Sequence, residues 1–244
     1  MADAIFIADL HLTPERPDIF RAFVSFMKTT AQTTQQLYIL GDLFDYWVGD
    51  DAMEAFHKKV IHQMKSYSDS PLNSLYFMPG NRDFSLGKEF IRLSGAQWIN
   101  DPSVIYLNHQ AILLMHGDLL CREDTRYLRY RKIIRNPLVV KLLHLTPVQW
   151  RRKLGKKIRQ QSHQDKQKKS QSIMDVTPEA VIENMKHHHV QTLIHGHTHR
   201  PAIHEISLTD NNTSAKRYVL GDWNKNGWYL EASHQDLTLK CFNI

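Results

Sequence analysis

The sequence predicts an α/β fold with mixed β-sheets flanked by helices, one domain over residues 1–244 that carries an inserted helical cap at 121–170. Three observations carry that prediction. Short apolar runs that stop abruptly at polar residues recur along the chain. Amphipathic segments of helical period separate several of them. Between Cys121 and Ser170 stand 16 of the 31 basic residues but only 3 of the 25 acidic ones, so a strongly basic insert interrupts a mildly acidic body.

In chain order the runs are AIFIADLH (4–11), LYILGDLFD (37–45), SLYFMPGNRD (74–83), ILLMHGD (112–118) and VQTLIHGHTH (190–199), each read as a buried strand followed by a loop. From Pro17 to Thr30 the residues Phe20, Phe23 and Met27 form one helical stripe, and Met53, Phe56, Val60 and Met64 form another. Strands alternating with such helices give a covered sheet. Asn108 between 104–107 and 111–115 predicts a hairpin, which makes the sheet mixed, and YVLGDW, WYLEA and LTLKCF predict β structure in the tail. Inside the insert, Asn136-Pro137 and Thr146-Pro147 read as N-caps followed by proline at the first helical position. They predict helices near 137–145 and 147–160, after a third near 124–134; Gln160 to Ser172 reads as a polar linker, and Thr177-Pro178 opens a further helix.

Composition narrows the function class. Hydrophobic residues make up 42% and charged residues 23% of 244, as in ordinary globular chains. Two cysteines, Cys121 and Cys241, are too few for a disulfide framework and point to a reducing compartment. The N-terminus has no secretory pattern and no stretch approaches the ~20 apolar residues that cross a bilayer. The basic insert suits a phosphate-bearing ligand, nucleic acid or an anionic membrane surface.

The residues just past each strand carry the chemistry. In order stand Asp9-x-His11, Gly41-Asp42-x-x-Asp45, Gly80-Asn81-Arg82-Asp83, His116-Gly117-Asp118 and His195-Gly196-His197-Thr198-His199. In an α/β sheet the carboxyl ends of strands converge on one crevice, so these side chains can meet. They offer hard oxygen and borderline nitrogen donors without a thiolate, a set suited to divalent Mn, Fe, Zn or Mg. In an extended segment residues i and i+2 point the same way, so Asp9 and His11 can grip one ion; His195, His197 and His199 repeat that spacing. A carboxylate such as Asp42 can bridge two cations, and Asn81 offers a neutral oxygen. Two such ions can activate water and steady a phosphoryl centre. Each motif alone is weak evidence; five in order after five apolar runs are not.

The order DxH, GDxxD, GNxD, HGD, GHTH over residues 5–200 resembles the calcineurin-like metallophosphoesterase superfamily. The resemblance implies a sandwich of mixed sheets with the insert as a helical lid. It implies that Asp9, His11, Asp42 and His199 hold one ion and that Asp42, Asn81, His116 and His197 hold a second, with Asp42 bridging and His195 packed or adjacent. Where many members carry a histidine after GN, this chain has Arg82. GNRDF, GDLFDYWVGDD, IMDV (173–176), HGHTHRP and the insert resemble the diphosphatase family that cleaves UDP-2,3-diacylglucosamine in lipid A biosynthesis. That likeness implies water attack on the α-phosphorus, with release of UMP and 2,3-diacylglucosamine 1-phosphate, and manganese as the metal. Asp42, Asn81, Arg82 and His116 would be catalytic; Asn81, Arg82, Asp124, Tyr127, Ser162, Lys166, Lys169 and His197 would contact substrate.

A diacylated substrate needs an apolar cleft, which Tyr127, Tyr130, Leu138, Val139, Leu142 and Leu143 could line. Arg82 can grip phosphate oxygens in bidentate fashion but is a poor proton donor, since its pKa stays above ~12. Asp45 and Asp118 could orient imidazoles or cap loops; Trp47 and Trp223 read as packing residues. The basic, apolar helices could also rest on anionic headgroups, at roughly 1 kcal/mol per nearby Lys or Arg. The chain is therefore expected in the cytoplasm, attached peripherally to the cytoplasmic face of the inner membrane. No nucleic-acid ligand is expected and no protein partner is inferred. The competing readings are a metallophosphoesterase for a soluble nucleotide and a non-catalytic interaction module.

Overall fold

The computed structural model of the chain describes residues 2–168, 175–208, 214–234 and 236–244. In chain order it contains β1 (Ala4–Ile7), α1 (Pro17–Lys28), β2 (Gln36–Leu40), α2 (Ala55–Ser68), β3 (Ser74–Met78), α3 (Lys88–Ser94), β4 (Gln97–Trp98), β5 (Ser103–Leu107) and β6 (Gln110–Met115). Three helices of the insert come next, α4 (Thr125–Ile134), α5 (Pro137–His144) and α6 (Val148–Lys168). The chain then forms α7 (Pro178–His187), β7 (Thr192–His195), β8 (Ala202–Ser207), β9 (Ser214–Val219), β10 (Asn226–Ser233) and β11 (Asp236–Asn243).

Two mixed sheets stack between helices. One has the order β11-β10-β1-β2-β3-β4, the other β5-β6-β7-β9-β8. β1, β2, β3 and β4 run parallel, and so do β6, β7 and β9, while hairpins add the antiparallel edges. The period of two along β1 sets the layers. Ile5 and Ile7 face α1, α2 and α3 in a cluster with Phe23, Phe26, Val60 and Phe90. Ala4 and Phe6 face the other way, into a cluster between the sheets with Leu40, Leu114, Ile194 and Leu230. A third cluster joins Leu113, Met115 and Leu193 to Val181 and Met185 of α7. All five predicted strands form, and each ends where its ligand-type residues begin. The β5–β6 hairpin turns on Asn108 (φ +49°) and His109 (φ +65°), the two left-handed residues that a tight hairpin turn requires.

The structure corrects the sequence reading in three places. Residues 160–168, read as the start of a linker, continue α6; Gln and Lys favour helix without an apolar stripe to announce it. Residues 169–172 of that stretch lie outside the described residues. Thr146 does not cap α6: the helix starts at Val148 and the Thr146 hydroxyl donates back to the Leu143 carbonyl at 2.7 Å. Asn136 does cap α5, accepting from the Leu138 amide at 2.9 Å. Finally, α3, β4 and β8 had no counterpart in the sequence reading. Among the described residues, no helix is long and apolar enough to cross a membrane.

Arg151, almost wholly buried, joins the cap to the body by donating to the Val48 carbonyl at 2.5 Å and to Asp51 at 2.9 Å. An aromatic group packs under β1. Phe26 meets Trp223 edge-on at 5.3 Å between centroids and stacks on Phe242 at 6.2 Å, and the Trp223 amide donates to the Asp9 carbonyl at 3.1 Å. Phe26→Ala should therefore cost about 3–5 kcal/mol of unfolding free energy in denaturant titration; an unchanged midpoint would contradict this packing.

Candidate metal centre

Five loops at strand ends converge, and close backbone approaches allow it. A Cβ on Gly80 would lie 2.1 Å from Asp42 Oδ1, and one on Gly196 would lie 2.3 Å from Asp9 Oδ2, so only glycine fits at either place. The donor residues themselves have unusual backbones. Asp9, His11, Asp42, His197 and His199 all have positive φ, between +47° and +69°. Non-glycine residues adopt that region seldom, Asp and His more readily than most, and such strain gathers at functional sites.

The structure brings together all seven residues predicted to hold metal. Donor atoms of Asp9, His11 and His199 lie within 4.8 Å of one another, as do those of Asp9, Asp42 and His116. His11 Nε2 is 3.2 Å from His199 Nε2, which is 3.5 Å from Asp9 Oδ1. On the other side, Asn81 Oδ1 lies 2.9 Å from His197 Nδ1 and 3.0 Å from His116 Nε2. Asp42 stands between the groups, with Oδ2 3.9 Å from His11 Nδ1 and Oδ1 3.8 Å from His116 Nε2. Asp9 reaches toward both as well.

Two observations show that this set fits a cation. The Leu40 carbonyl, 2.9 Å from His116 Nδ1, can only accept, so Nδ1 carries a proton and Nε2 is the nitrogen that faces the Asn81 oxygen. Nε2 and that oxygen, 3.0 Å apart, need a positive charge between them, either a proton on Nε2 or a cation bound in its place. Asp9 is fully buried; Oδ2 accepts from the His197 amide at 2.7 Å, while Oδ1 faces the donor histidine His199, with Nε2 at 3.5 Å. The electrostatics agree. Burial alone would lower the His116 pKa, yet Asp42, Asp118, Asp9 and Asp101 push it up to about 9. Burial raises Asp42, with the neighbouring Asp9 charge adding to it, whereas His199, His116 and His11 hold Asp9 below the usual carboxylate range against the effect of burial. Divalent cations suit such buried oxygen and nitrogen donors.

The supporting residues differ from those the sequence suggested. Among the described contacts Asp45 and Asp118 reach cap residues instead of a donor imidazole, and Asp118 acts on His116 and His197 through its charge. Asp118 accepts from Tyr127 Oη at 2.5 Å and Arg131 Nε at 2.7 Å, and Asp45 pairs with Arg159 of α6. The Leu40 carbonyl orients His116 instead, and a backbone carbonyl leaves no mark in a sequence motif. Asp222, 3.5 Å from His199 Nδ1, was missed, although Gly221-Asp222 repeats the strand–Gly–Asp pattern of Gly41-Asp42. Asp83, likewise without an assigned role, accepts from the amides of Gly80 (2.8 Å), Leu43 (2.7 Å) and Asp42 (3.3 Å), locking the loops after β2 and β3 together. His195 is buried beside the Gly196 carbonyl, and burial pushes its pKa down to about 4; it joins neither donor group.

A cavity of about 610 Å³ opens over the centre. Asn81, Arg82, His197 and His199 form its floor, and Tyr127, Tyr130, Ile134, Leu143, Leu154 and Ile158 of the cap line its wall. Arg82 Nε stands 4.0 Å from Asp42 Oδ2. Three residues expected in the cleft do not line it. Val139 faces elsewhere, and Leu138 and Leu142 are 71% and 64% exposed, because apolar residues stand on more than one side of α5 and only the Val140–Leu143 side faces inward. Asp124 lines the cavity, but its carboxylate caps α4 by accepting from the Tyr127 amide at 3.1 Å. Trp47 is buried and also borders the cavity, whereas Trp223 belongs to the core. The Ser162 and Lys166 side chains, and all of Lys169, lie outside the described residues.

Comparisons with known proteins agree with this architecture. The calcineurin-like phosphoesterase family model matches residues 4–201. The UDP-2,3-diacylglucosamine hydrolase of Pseudomonas syringae pv. tomato is 46% identical over 240 residues, 98% of this chain and 96% of that protein. The Pseudomonas aeruginosa protein of the same name is 48% identical over 227 residues, 93% of each chain. The strand-end donors, the two-sheet architecture and these matches place the chain in the calcineurin-like phosphoesterase family, alongside those hydrolases.

Proposed function

We propose that this chain hydrolyses the pyrophosphate bond of UDP-2,3-diacylglucosamine at the α-phosphorus, giving UMP and 2,3-diacylglucosamine 1-phosphate as a step of lipid A biosynthesis. One observation carries the reading: convergent oxygen and nitrogen donors form the floor of a cavity whose walls are mostly apolar. The near full-length likeness to hydrolases named for that substrate supports it.

In this reading Asp9, His11, Asp42 and His199 hold one divalent cation, and Asp42, Asn81, His116 and His197 hold the other, both Mn2+. Bound there, the cations supply an activated water and neutralise charge on the phosphorus oxygens. The protein does the rest. Arg82 lies at the cavity floor and offers its guanidinium fork to the pyrophosphate, stabilising charge without giving up a proton. Tyr127 and Asp124, with Ser162, Lys166 and Lys169, contact the sugar, nucleotide or phosphate. Tyr130, Ile134, Leu143, Leu154 and Ile158 exclude water and receive an acyl chain.

We also propose that the protein works in the cytoplasm, attached to the cytoplasmic face of the inner membrane through the outer face of the cap. Ile133, Leu138, Leu142 and Leu145 are exposed there within a basic segment. Basic residues draw such a surface to anionic lipid and apolar ones enter it.

Chelation should abolish turnover of UDP-2,3-diacylglucosamine and Mn2+ should restore it; full activity in the chelated protein would refute the cation-dependent reading. Arg82→Gln should lower kcat by about 10²–10³-fold while Mn2+ uptake stays unchanged in calorimetry, and an unaltered kcat would remove Arg82 from the chemistry. Each buried methylene stabilises binding by about 0.8 kcal/mol, so deacylated UDP-glucosamine should lose at least about 100-fold in kcat/KM. Equal values for both substrates would favour a soluble nucleotide.

A further inference from the structure

One face of α4 makes contacts that neither substrate binding nor the apolar cavity explains. Tyr127, Arg131 and Arg135, spaced i, i+4, i+8, line up on that face. Tyr127 Oη donates to Asp118 Oδ2 at 2.5 Å, and Arg131 Nε donates to the same oxygen at 2.7 Å. Arg131 Nη2 reaches Asp101 Oδ2 at 3.4 Å. Arg135 Nη2 donates to the Gly80 carbonyl at 2.7 Å and lies 3.7 Å from Asp118 Oδ2. Asp118 and Asp101 are both buried, with side-chain exposures of 0% and 2%, so the guanidinium groups compensate charges that have no water to turn to.

The targets are not spread evenly over the site. Asp118 is two residues from His116, Asp101 accepts from the His116 amide through Oδ1 at 3.2 Å, and the Gly80 carbonyl belongs to the peptide leading into Asn81. The Tyr127 ring lies 6.1 Å from the His197 ring. Among the described residues the hydrogen bonds and ion pairs of the stripe thus lead, directly or through Asp101, to the loops of Asn81 and His116, its ring contact leads to His197, and none leads to the loops of Asp9, His11 or Asp42.

We infer that Tyr127, Arg131 and Arg135 are positioning residues that bolt the cap to one half of the metal centre, so that the Asn81–His116–His197 group is shaped by the helix that also lines the cavity. The inference rests on the reading that the two donor groups hold separate cations. Asn81 and His116 sit on loops of different sheets, and the stripe fixes both loops at once. The cap is then part of the metal centre as well as a wall of the lipid cavity.

Titration of the metal-free full-length protein with Mn2+, followed by calorimetry and by electron paramagnetic resonance, tests this without any substrate. Wild type is expected to take up two ions in two steps. Arg131→Gln should weaken one step by about 10–100-fold, leave the other within about 2-fold, and lose the magnetic coupling between the ions at equal loading. Arg131→Lys keeps a cation beside Asp118 but gives up the fork to Asp101, and should fall between the two; it carries the test if the glutamine variant does not fold. Two ions with wild-type affinities in both variants, or equal weakening of both steps, would overturn the inference while leaving the two-cation reading intact. Fewer than two ions in the wild-type protein would overturn both.

Discussion

Everything in this structure answers to a crowd of buried lone pairs. Asp9, Asp42 and His116 are withdrawn from water, point at one another and have Arg82 at 4.0 Å from Asp42 as a neighbouring fixed cation. Without a charge of opposite sign such an arrangement is costly, because carboxylates removed from water lose far more hydration than one distant guanidinium restores. Burial pushes the Asp42 pKa up, with the Asp9 charge adding to it, while His199, His116 and His11 hold Asp9 down against its own burial. A divalent cation resolves the conflict, and its binding free energy then becomes part of the stability of the folded state.

The backbone bears the cost of holding those donors in place. Five left-handed non-glycine residues, each on the order of 1–3 kcal/mol, are a large fraction of a total stability on the order of 5–15 kcal/mol. They persist because their surroundings leave no alternative. Gly80 and Gly196 admit the Asp42 and Asp9 side chains, Asp83 ties three amides of two loops together, and Trp223 anchors the Asp9 carbonyl to the aromatic group under β1. The sheet order places β1 beside β2, β2 beside β3 and β6 beside β7, so parallel strands deliver their ends to one crevice. The cap then closes that crevice with apolar residues. Phosphorus chemistry below and hydrocarbon above require these opposite surroundings within one cavity.

Much of this was legible in the sequence, for a definable reason. A buried strand is an apolar run, a glycine marks where the chain must turn, and a donor immediately beyond it belongs to the crevice. That logic found β1, β2, β3, β6 and β7 and the metal-ligand candidates, which the structure brings together. It failed where the deciding partner is main chain or a distant side chain. The Leu40 carbonyl that fixes His116 has no sequence signature, and the pairing of Asp118 with Arg131 crosses into the insert. Helix faces were the other weakness. α5 carries leucines on both its inward and its outward side, so composition could not say that Leu143 turns inward while Leu138 and Leu142 turn out. β8 was missed because only half of Ala202–Ser207 is apolar and the strand lies at a sheet edge. The left-handed backbones of Asp9 and His11 were hidden too, since an i, i+2 pair reads as extended chain until the coordinates show otherwise.

The most direct test of the central claim is anomalous diffraction at the manganese edge from crystals grown with Mn2+. The account predicts two peaks, one within coordination distance of Asp9, His11 and His199 and one within coordination distance of Asn81, His116 and His197, with Asp42 between them. A single peak, or peaks away from these side chains, would contradict it.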